Sequence, residues 1–130
     1  MDFARKVLLF GTVNGALCIL LGAFAAHGLK NRLSAQLLSV YQTGVEYHFY
    51  HALALILLGV LVGQYGCNPF MRWSARFFII GVLLFSGSLY SLSLTGITVL
   101  GAITPIGGIC FVLGWIVLAL AVVQPSDSNR

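Results

Sequence analysis

The residues with the clearest chemical potential lie in one short string, Glu46-Tyr47-His48-Phe49-Tyr50-His51. It combines a carboxylate, two imidazoles and two phenols, and the charge-free residues 52–63 follow it directly. Ionisable side chains at or inside a bilayer are costly unless they face protein or water, so their presence needs a structural or functional reason. The string is therefore the first place to look for a function.

Three uses of this string are open. In the first, Glu46, Tyr47, Tyr50 and His51 form a hydrogen-bonded belt with His27 and do no chemistry. In the second, Glu46 carries a proton with His51 as its partner in a transport pathway, because intramembrane ionisable residues mark such pathways and histidine titrates near neutral pH. Both uses require the carboxylate and the His51 ring to be turned inward, toward protein.

The third use is a metal or haem site built from His48 and His51, with help from His27. On an ideal helix Glu46 points largely away from His48, so these two side chains are not expected to share one ion. A hydrogen bond between Glu46 and Tyr50, about 40° apart on the helix, is geometrically easier. We favour the belt and expect neither a metal nor a cofactor.

The composition determines which elements position this string. Of the 130 residues, 59% are hydrophobic and only 8% are charged, which is typical of a membrane protein. At about 20 residues per crossing, the sequence predicts a single all-α domain with four transmembrane helices, at about 7–26, 47–64, 77–94 and 105–123. No length remains for a soluble domain.

Between the first two spans, apolar residues recur at near-helical spacing, at Leu29, Leu33, Leu37 and Val40. This pattern predicts a short amphipathic helix within residues 27–46, lying at the membrane interface or packed on the ends of the bundle.

The distribution of Lys and Arg predicts the orientation of the chain. Cytoplasmic loops are enriched in these residues. One side of the predicted membrane receives Arg5, Lys6, Arg72, Arg76 and Arg130, and the other receives Lys30 and Arg32. We expect an inner-membrane protein with both termini in the cytoplasm. The net charge of +4 is explained by this bias and by anionic lipids, so no nucleic-acid partner is expected.

Small and polar residues in the spans are expected to form helix contacts, because they let transmembrane backbones approach closely and bond across helices. Asn14 is expected to bond across a helix pair, and the glycine stripes of the first and last spans are predicted to face each other. Trp115, well inside the last span, needs an acceptor for its indole N–H. The predicted packing residues are Gly11, Asn14, Gly15, Gly22, Ser88, Gly107 and Gly114.

Five segments of the chain, in order, resemble the YgdD-like family of small, functionally uncharacterised bacterial inner-membrane proteins. The resemblance covers essentially the whole chain and implies four spans but no catalytic residues. His27, Glu46 and His51 match the family pattern, whereas Gln is commoner at the position of His48 and Gly at that of Ala25. The segments are Leu21-Gly22-Ala23-Phe24-Ala25-Ala26-His27-Gly28, Gln42-Thr43-Gly44-Val45-Glu46-Tyr47, His51-Ala52-Leu53-Ala54, Phe85-Ser86-Gly87-Ser88-Leu89-Tyr90, and Thr104-Pro105-Ile106-Gly107-Gly108 with Gly114-Trp115.

No enzyme motif accompanies these features, since the sequence has neither a phosphate-binding glycine loop nor a nucleophile elbow. The sequence therefore predicts a non-enzymatic membrane protein, a small accessory or assembly subunit. Its expected partners are the lipid bilayer and either other membrane-protein subunits or further copies of the chain. A proton-coupled small-molecule carrier using Glu46 and His51 is the alternative, and metal or haem binding is the second.

Overall fold

The computed structural model describes residues 1–124, and nearly all of them are helical. Arg130, which was counted among the cytoplasmic cations, lies outside the described residues. The elements in chain order are α1 (Phe3–Phe24) continued by a π-helical turn (Ala25–Leu29), α2 (Ala35–Tyr65), α3 (Pro69–Gly81), a second π-helical turn (Val82–Ser86), α4 (Gly87–Thr95), a 3₁₀ turn (Thr98–Ala102) and α5 (Thr104–Val123).

Local chemistry explains where the helices begin. The side chains of Asp2, Ser34 and Asn68 each accept a hydrogen bond from a backbone N–H in the first turn of α1, α2 and α3. Such caps satisfy donors that have no partner inside the helix. At the other end of the third span, Gly96 follows α4 with φ of 73°, a left-handed conformation that glycine adopts at little cost.

Four helical segments are long and apolar enough to cross a membrane: Phe3–Leu29, Ala35–Tyr65, Pro69–Thr95 and Thr98–Val123. The predicted all-α fold with four transmembrane helices is therefore confirmed. Each of the four stretches proposed as spans lies within one of these segments.

The amphipathic segment after the first span differs from the prediction. It is helical, but its residues from Ala35 onward are the first turns of α2 rather than a separate helix. Nothing between Ala35 and Tyr65 breaks the helix, because this stretch has no proline and the first backbone with positive φ occurs at Gly66. The 31 residues of α2 extend over about 46 Å. Glu46 is consequently deep inside a continuous helix and not at its start.

The spans pack in pairs, α1 along α2 and α3 along α5, with α4 against α2. Leu55, Leu58 and Phe78 are the most deeply buried large apolar side chains where α2 meets α3. The third span is thus positioned between α2 and α5.

The glycines of the first and last spans do not face each other, contrary to the prediction. Gly11 lies against α2, where an added Cβ would come within 2.8 Å of Ile56, whereas Gly107 and Gly114 lie against the third span, on Phe85 and Phe78. The sequence indicated close approach at these positions but could not indicate the partner. An added Cβ on Gly22 would make an ordinary contact with Val45, and one on Gly15 would meet no atom of another part of the chain within 4 Å.

We expect Gly107→Ala to lower the free energy of unfolding in detergent by about 1–3 kcal/mol more than Gly108→Ala. A Cβ on Gly107 would lie 2.4 Å from the backbone nitrogen of Phe85, which cannot move aside, whereas on Gly108 its nearest contact is a ring atom at 3.8 Å. Both substitutions gain the same helix propensity, so their difference isolates the clash. Equal stability of the two variants would contradict the packing of α5 on the third span.

Candidate functional site

His48 lies at the centre of a buried hydrogen-bond network that joins three helices. Its ring is only 3% exposed. Nε2 lies 2.8 Å from Oδ1 of Asn14 on α1, and Nδ1 lies 3.0 Å from the hydroxyl of Tyr90 on α4. The Asn14 amide also donates to the carbonyl oxygen of Phe10 at 2.8 Å. Asn14 thus bonds across a helix pair, as the sequence indicated.

The direction of each bond in this network follows from its partners. Because the Asn14 amide nitrogen donates to a carbonyl, its oxygen faces His48 and can only accept, so Nε2 of His48 carries a proton. Nδ1 then accepts from the Tyr90 hydroxyl in the neutral ring. The network is complete without any charge.

His51 has a separate set of partners on the side facing α5. The ring is 4% exposed and stacks on Phe111, with ring centroids 3.5 Å apart and planes 8° apart. Nδ1 lies 2.7 Å from the carbonyl oxygen of Tyr47, and the indole Nε1–H of Trp115 donates to Nε2 at 3.1 Å. His51 is therefore the acceptor that the Trp115 indole requires.

These bonds fit one state of the His51 ring. A carbonyl can only accept, so Nδ1 carries a proton, and an indole N–H can only donate, so Nε2 carries none. All four ring nitrogens of His48 and His51 are thus engaged. No lone pair is free for a metal or a haem iron, and His27 is exposed on the first π-helical turn. This arrangement therefore gives no support to the metal or haem use of these histidines.

Glu46 lies on the opposite side of α2 from the buried histidines. The buried residues of this part of α2 recur at helical spacing, at Tyr41, Gly44, His48, His51 and Leu55. On an ideal helix Glu46 is rotated by about 160° from His48, so its side chain leaves the bundle.

The expectation that the string faces inward is therefore wrong for most of its members. Glu46, Tyr47 and Tyr50 are exposed, as is His27. Tyr47 and Tyr50 touch edge to face, with centroids 5.6 Å apart, but the Glu46 carboxylate has no hydrogen bond or ion pair within residues 1–124. Of the residues proposed for the belt, only His51 is buried, and its partners do not include Glu46.

The depth of Glu46 follows from its neighbours on α1. Together with Cys18 and Ile19 it lines a groove of about 260 Å³ on the outside of the bundle. Cys18 lies 12 residues after Lys6 and 12 before Lys30. At 1.5 Å per residue it is about 18 Å along the helix from either cation, close to the middle of a hydrocarbon layer about 30 Å thick.

The third span gives the same depth independently. Ser86 lies midway along the charge-free helical stretch 77–95, and its hydroxyl donates to the carbonyl oxygen of Gly44 at 2.7 Å. Glu46 follows Gly44 by two residues on α2, a step of about 3 Å along the helix axis. Two spans thus place an exposed carboxylate near mid-depth of the membrane.

A second groove, of about 610 Å³, opens beside His51 between α2, the second π-helical turn and α5. Aromatic side chains dominate its lining, including Tyr47, Phe85, Phe111 and Trp115. Both His51 nitrogens are bonded within the protein, to the Tyr47 carbonyl oxygen and the Trp115 indole.

The sequence analysis assigned Tyr90 to no site and considered His48 only as a metal or haem ligand, whereas the structure joins both in one hydrogen-bond network. Nothing in the sequence marked Tyr90 as a network residue except that it is a phenol within an apolar span. Two sequence signals pointed to His48. Its spacing of three residues from His51 places both rings on one face of the helix. Asn14, a polar residue in the first span, also required a hydrogen-bond partner from another helix.

Comparison with known proteins decides the family. The family model "Protein of unknown function (DUF423)" matches residues 21–108. The chain belongs to the DUF423 family. It is 42% identical to the UPF0382 membrane protein YwdK of Bacillus subtilis over 120 residues, covering 92% of this chain and 98% of that protein.

Two further relatives agree with this assignment. A UPF0382 membrane protein of Haemophilus influenzae is 46% identical over 115 residues, covering 88% of this chain and 91% of the relative. The UPF0382 membrane protein SSP2132 of Staphylococcus saprophyticus is 42% identical over 116 residues, covering 89% and 95%. No solved structure matches the chain significantly. The DUF423 chain is therefore an integral membrane protein of an uncharacterised family.

In this DUF423 chain we expect His48→Leu to be much more destabilising than His48→Gln. Leucine leaves the Asn14 oxygen and the Tyr90 hydroxyl without their partner, at a cost of about 1–3 kcal/mol. Glutamine offers a donor and an acceptor and can restore at least one bond. The measurement is the free energy of unfolding in detergent, and a leucine variant as stable as the glutamine variant would contradict the network.

Proposed function

We propose that the protein is a non-enzymatic subunit of a membrane assembly and associates through the outer surface that carries Glu46. We call this surface the Glu46 face and define it by Ile19 of α1 and Gln42, Glu46, Tyr50 and Leu53 of α2, which are all exposed. The single observation that carries the proposal is the exposed carboxylate near mid-depth, which has no partner within the described residues.

The physical reason lies in the solvent properties of the bilayer. Hydrocarbon offers no hydrogen bonds, and ionisable groups in transmembrane segments almost always face the bundle interior, a water-filled cavity or a paired group. Within residues 1–124 of a single copy, Glu46 has none of these. Contact with another protein surface supplies the missing environment, because interhelical hydrogen bonds stabilise helix association in membranes.

The face has further polar groups that a lipid-facing surface does not need. Gln42, Glu46 and Tyr50 follow one another at intervals of four residues, which places them in one row along α2. Leu53, three residues after Tyr50, adds an exposed apolar side chain to the same face. Polar and apolar side chains together are the composition expected of a surface that contacts protein.

The arrangement does not support a proton carrier in which Glu46 and His51 work as a pair. Glu46 points outward, whereas His51 points inward and both of its nitrogens are bonded to Tyr47 and Trp115. A relay needs donor and acceptor within hydrogen-bond reach.

For the location we propose the inner membrane with both termini in the cytoplasm. The support comes from the cations of the described residues. The Arg72 guanidinium lies 4.9 Å from the centroid of the Phe3 ring, so the start of α3 is on the same membrane side as the start of α1 with Arg5 and Lys6. Lys30 and Arg32 are at the opposite end, and the larger cationic group is expected inside.

The test is the protein mass of the particle extracted from its native membrane in mild detergent, measured by light scattering. We expect a mass well above the 14.0 kDa of one chain, and a return toward 14.0 kDa for Glu46→Leu. Leu83→Ala is the control, because Leu83 is exposed on the third span, away from the Glu46 face. A wild-type particle of one chain, or a Glu46→Leu particle of unchanged mass, would overturn the proposal.

A further inference from the structure

We infer that the occupant of the Glu46 face is a second copy of this chain, related by a two-fold axis along the membrane normal. This inference rests on the proposed function, since it names the partner for the same surface. Glu46 of each copy meets hydrogen-bond donors of the other, so that both carboxyl groups are shielded from lipid by one interface.

The face is complementary to itself. Glu46 supplies acceptor oxygens. Tyr50, one turn after it, supplies an O–H donor, and Gln42, one turn before it, supplies N–H donors. Neighbouring turns are about 6 Å apart along the helix, a step that long side chains can bridge. A two-fold axis along the membrane normal keeps both copies in the same orientation and brings groups of equal depth together. Each contact then occurs twice, as in other isologous interfaces.

The charges of the chain fit neutral donors rather than an ion pair. All Lys and Arg residues within residues 1–124 lie toward the ends of the spans, at positions 5, 6, 30, 32, 72 and 76. The described residues of a second copy therefore bring no cation to the depth of Glu46, and the phenol and amide groups are the donors that they offer there. A different protein with a cation at this depth is the competing occupant.

The shape of the surface supports close approach of another helix. Gly15 lies one turn from Ile19 and has open space where its side chain would be, within 4 Å. Beside it runs the groove of about 260 Å³ lined by Cys18, Ile19, Val45, Glu46, Phe49 and Tyr50. The small residue and the groove allow a partner helix to pack closely here, and the carboxyl group offers it a hydrogen bond.

Disulfide cross-linking of the purified chain in lipid vesicles tests the inference. In a background with Cys18, Cys67 and Cys110 replaced by alanine, Leu53→Cys places a thiol on the Glu46 face. Ile116→Cys is the matched control on α5, because the two side chains are 49% and 51% exposed. At a low ratio of protein to lipid, oxidation with copper phenanthroline should link the Leu53→Cys copies into a covalent dimer and leave Ile116→Cys monomeric.

Substitutions at Glu46 test whether association of the two copies depends on the carboxyl group. Measured by energy transfer between labelled copies diluted in vesicles, Glu46→Leu should weaken association about tenfold, the effect of losing two equivalent hydrogen bonds in a membrane. Glu46→Gln keeps an acceptor and should stay within about twofold of the wild type.

The possible outcomes separate this inference from the function it deepens. If the native particle is larger than one chain but the purified chain neither cross-links through Leu53→Cys nor associates, another protein occupies the face, and only the second-copy inference fails. Equal cross-linking of Ile116→Cys, or a Glu46→Leu variant that associates like the wild type, also overturns it. A protein that is monomeric in both preparations overturns both.

Discussion

The structure depends on one constraint, that hydrocarbon supplies no hydrogen bonds to the groups it surrounds. Every buried side-chain nitrogen and oxygen within residues 1–124 has a partner. Many of the bonds cross between helices: His48 to Asn14 and Tyr90, Ser86 to the carbonyl of Gly44, and Ser74 to the carbonyl of Gly114. They determine which helices are neighbours and in which register, since apolar packing alone has little power to do so in lipid.

Glu46 is the departure from this pattern, and its position follows from the same network. The network requires His48 and His51 to face inward, and the helical period then turns Glu46 outward. Because the bond of Ser86 and the neighbours on α1 also set the depth of this turn, the carboxyl group lies level with the middle of the charge-free stretches of the first and third spans. The association surface that we propose on α1 and α2 is thus a consequence of how the interior is built.

The sequence predicted the four-helix membrane fold well, because apolar length and the absence of charge are direct consequences of the bilayer. It also indicated Asn14 as a group that bonds across helices. It could not predict which side of α2 faces the bundle, because this helix has apolar residues on all of its sides and no hydrophobic stripe marks its inner face. The segment before Glu46 was predicted to be a separate interfacial helix because its apolar residues recur at helical spacing, but the helix continues without a break into the second span. The partners of Gly107 and Gly114 were missed because a glycine indicates close approach without naming the neighbour.

The central claim is that the Glu46 carboxyl group of a single copy is reached from hydrocarbon and not from water, and selective chemical modification of the native residue in dissociated chains tests it most directly. The purified chain, diluted in lipid vesicles until it is monomeric, is treated with either the apolar reagent dicyclohexylcarbodiimide or a water-soluble carbodiimide, and the modified residues are identified by mass spectrometry. Asp2, exposed at the start of α1, is the internal reference for a carboxyl group in water. The account predicts that the apolar reagent modifies Glu46 while the water-soluble reagent modifies Asp2 and spares Glu46. Modification of Glu46 by the water-soluble reagent to the same extent as Asp2 would contradict it.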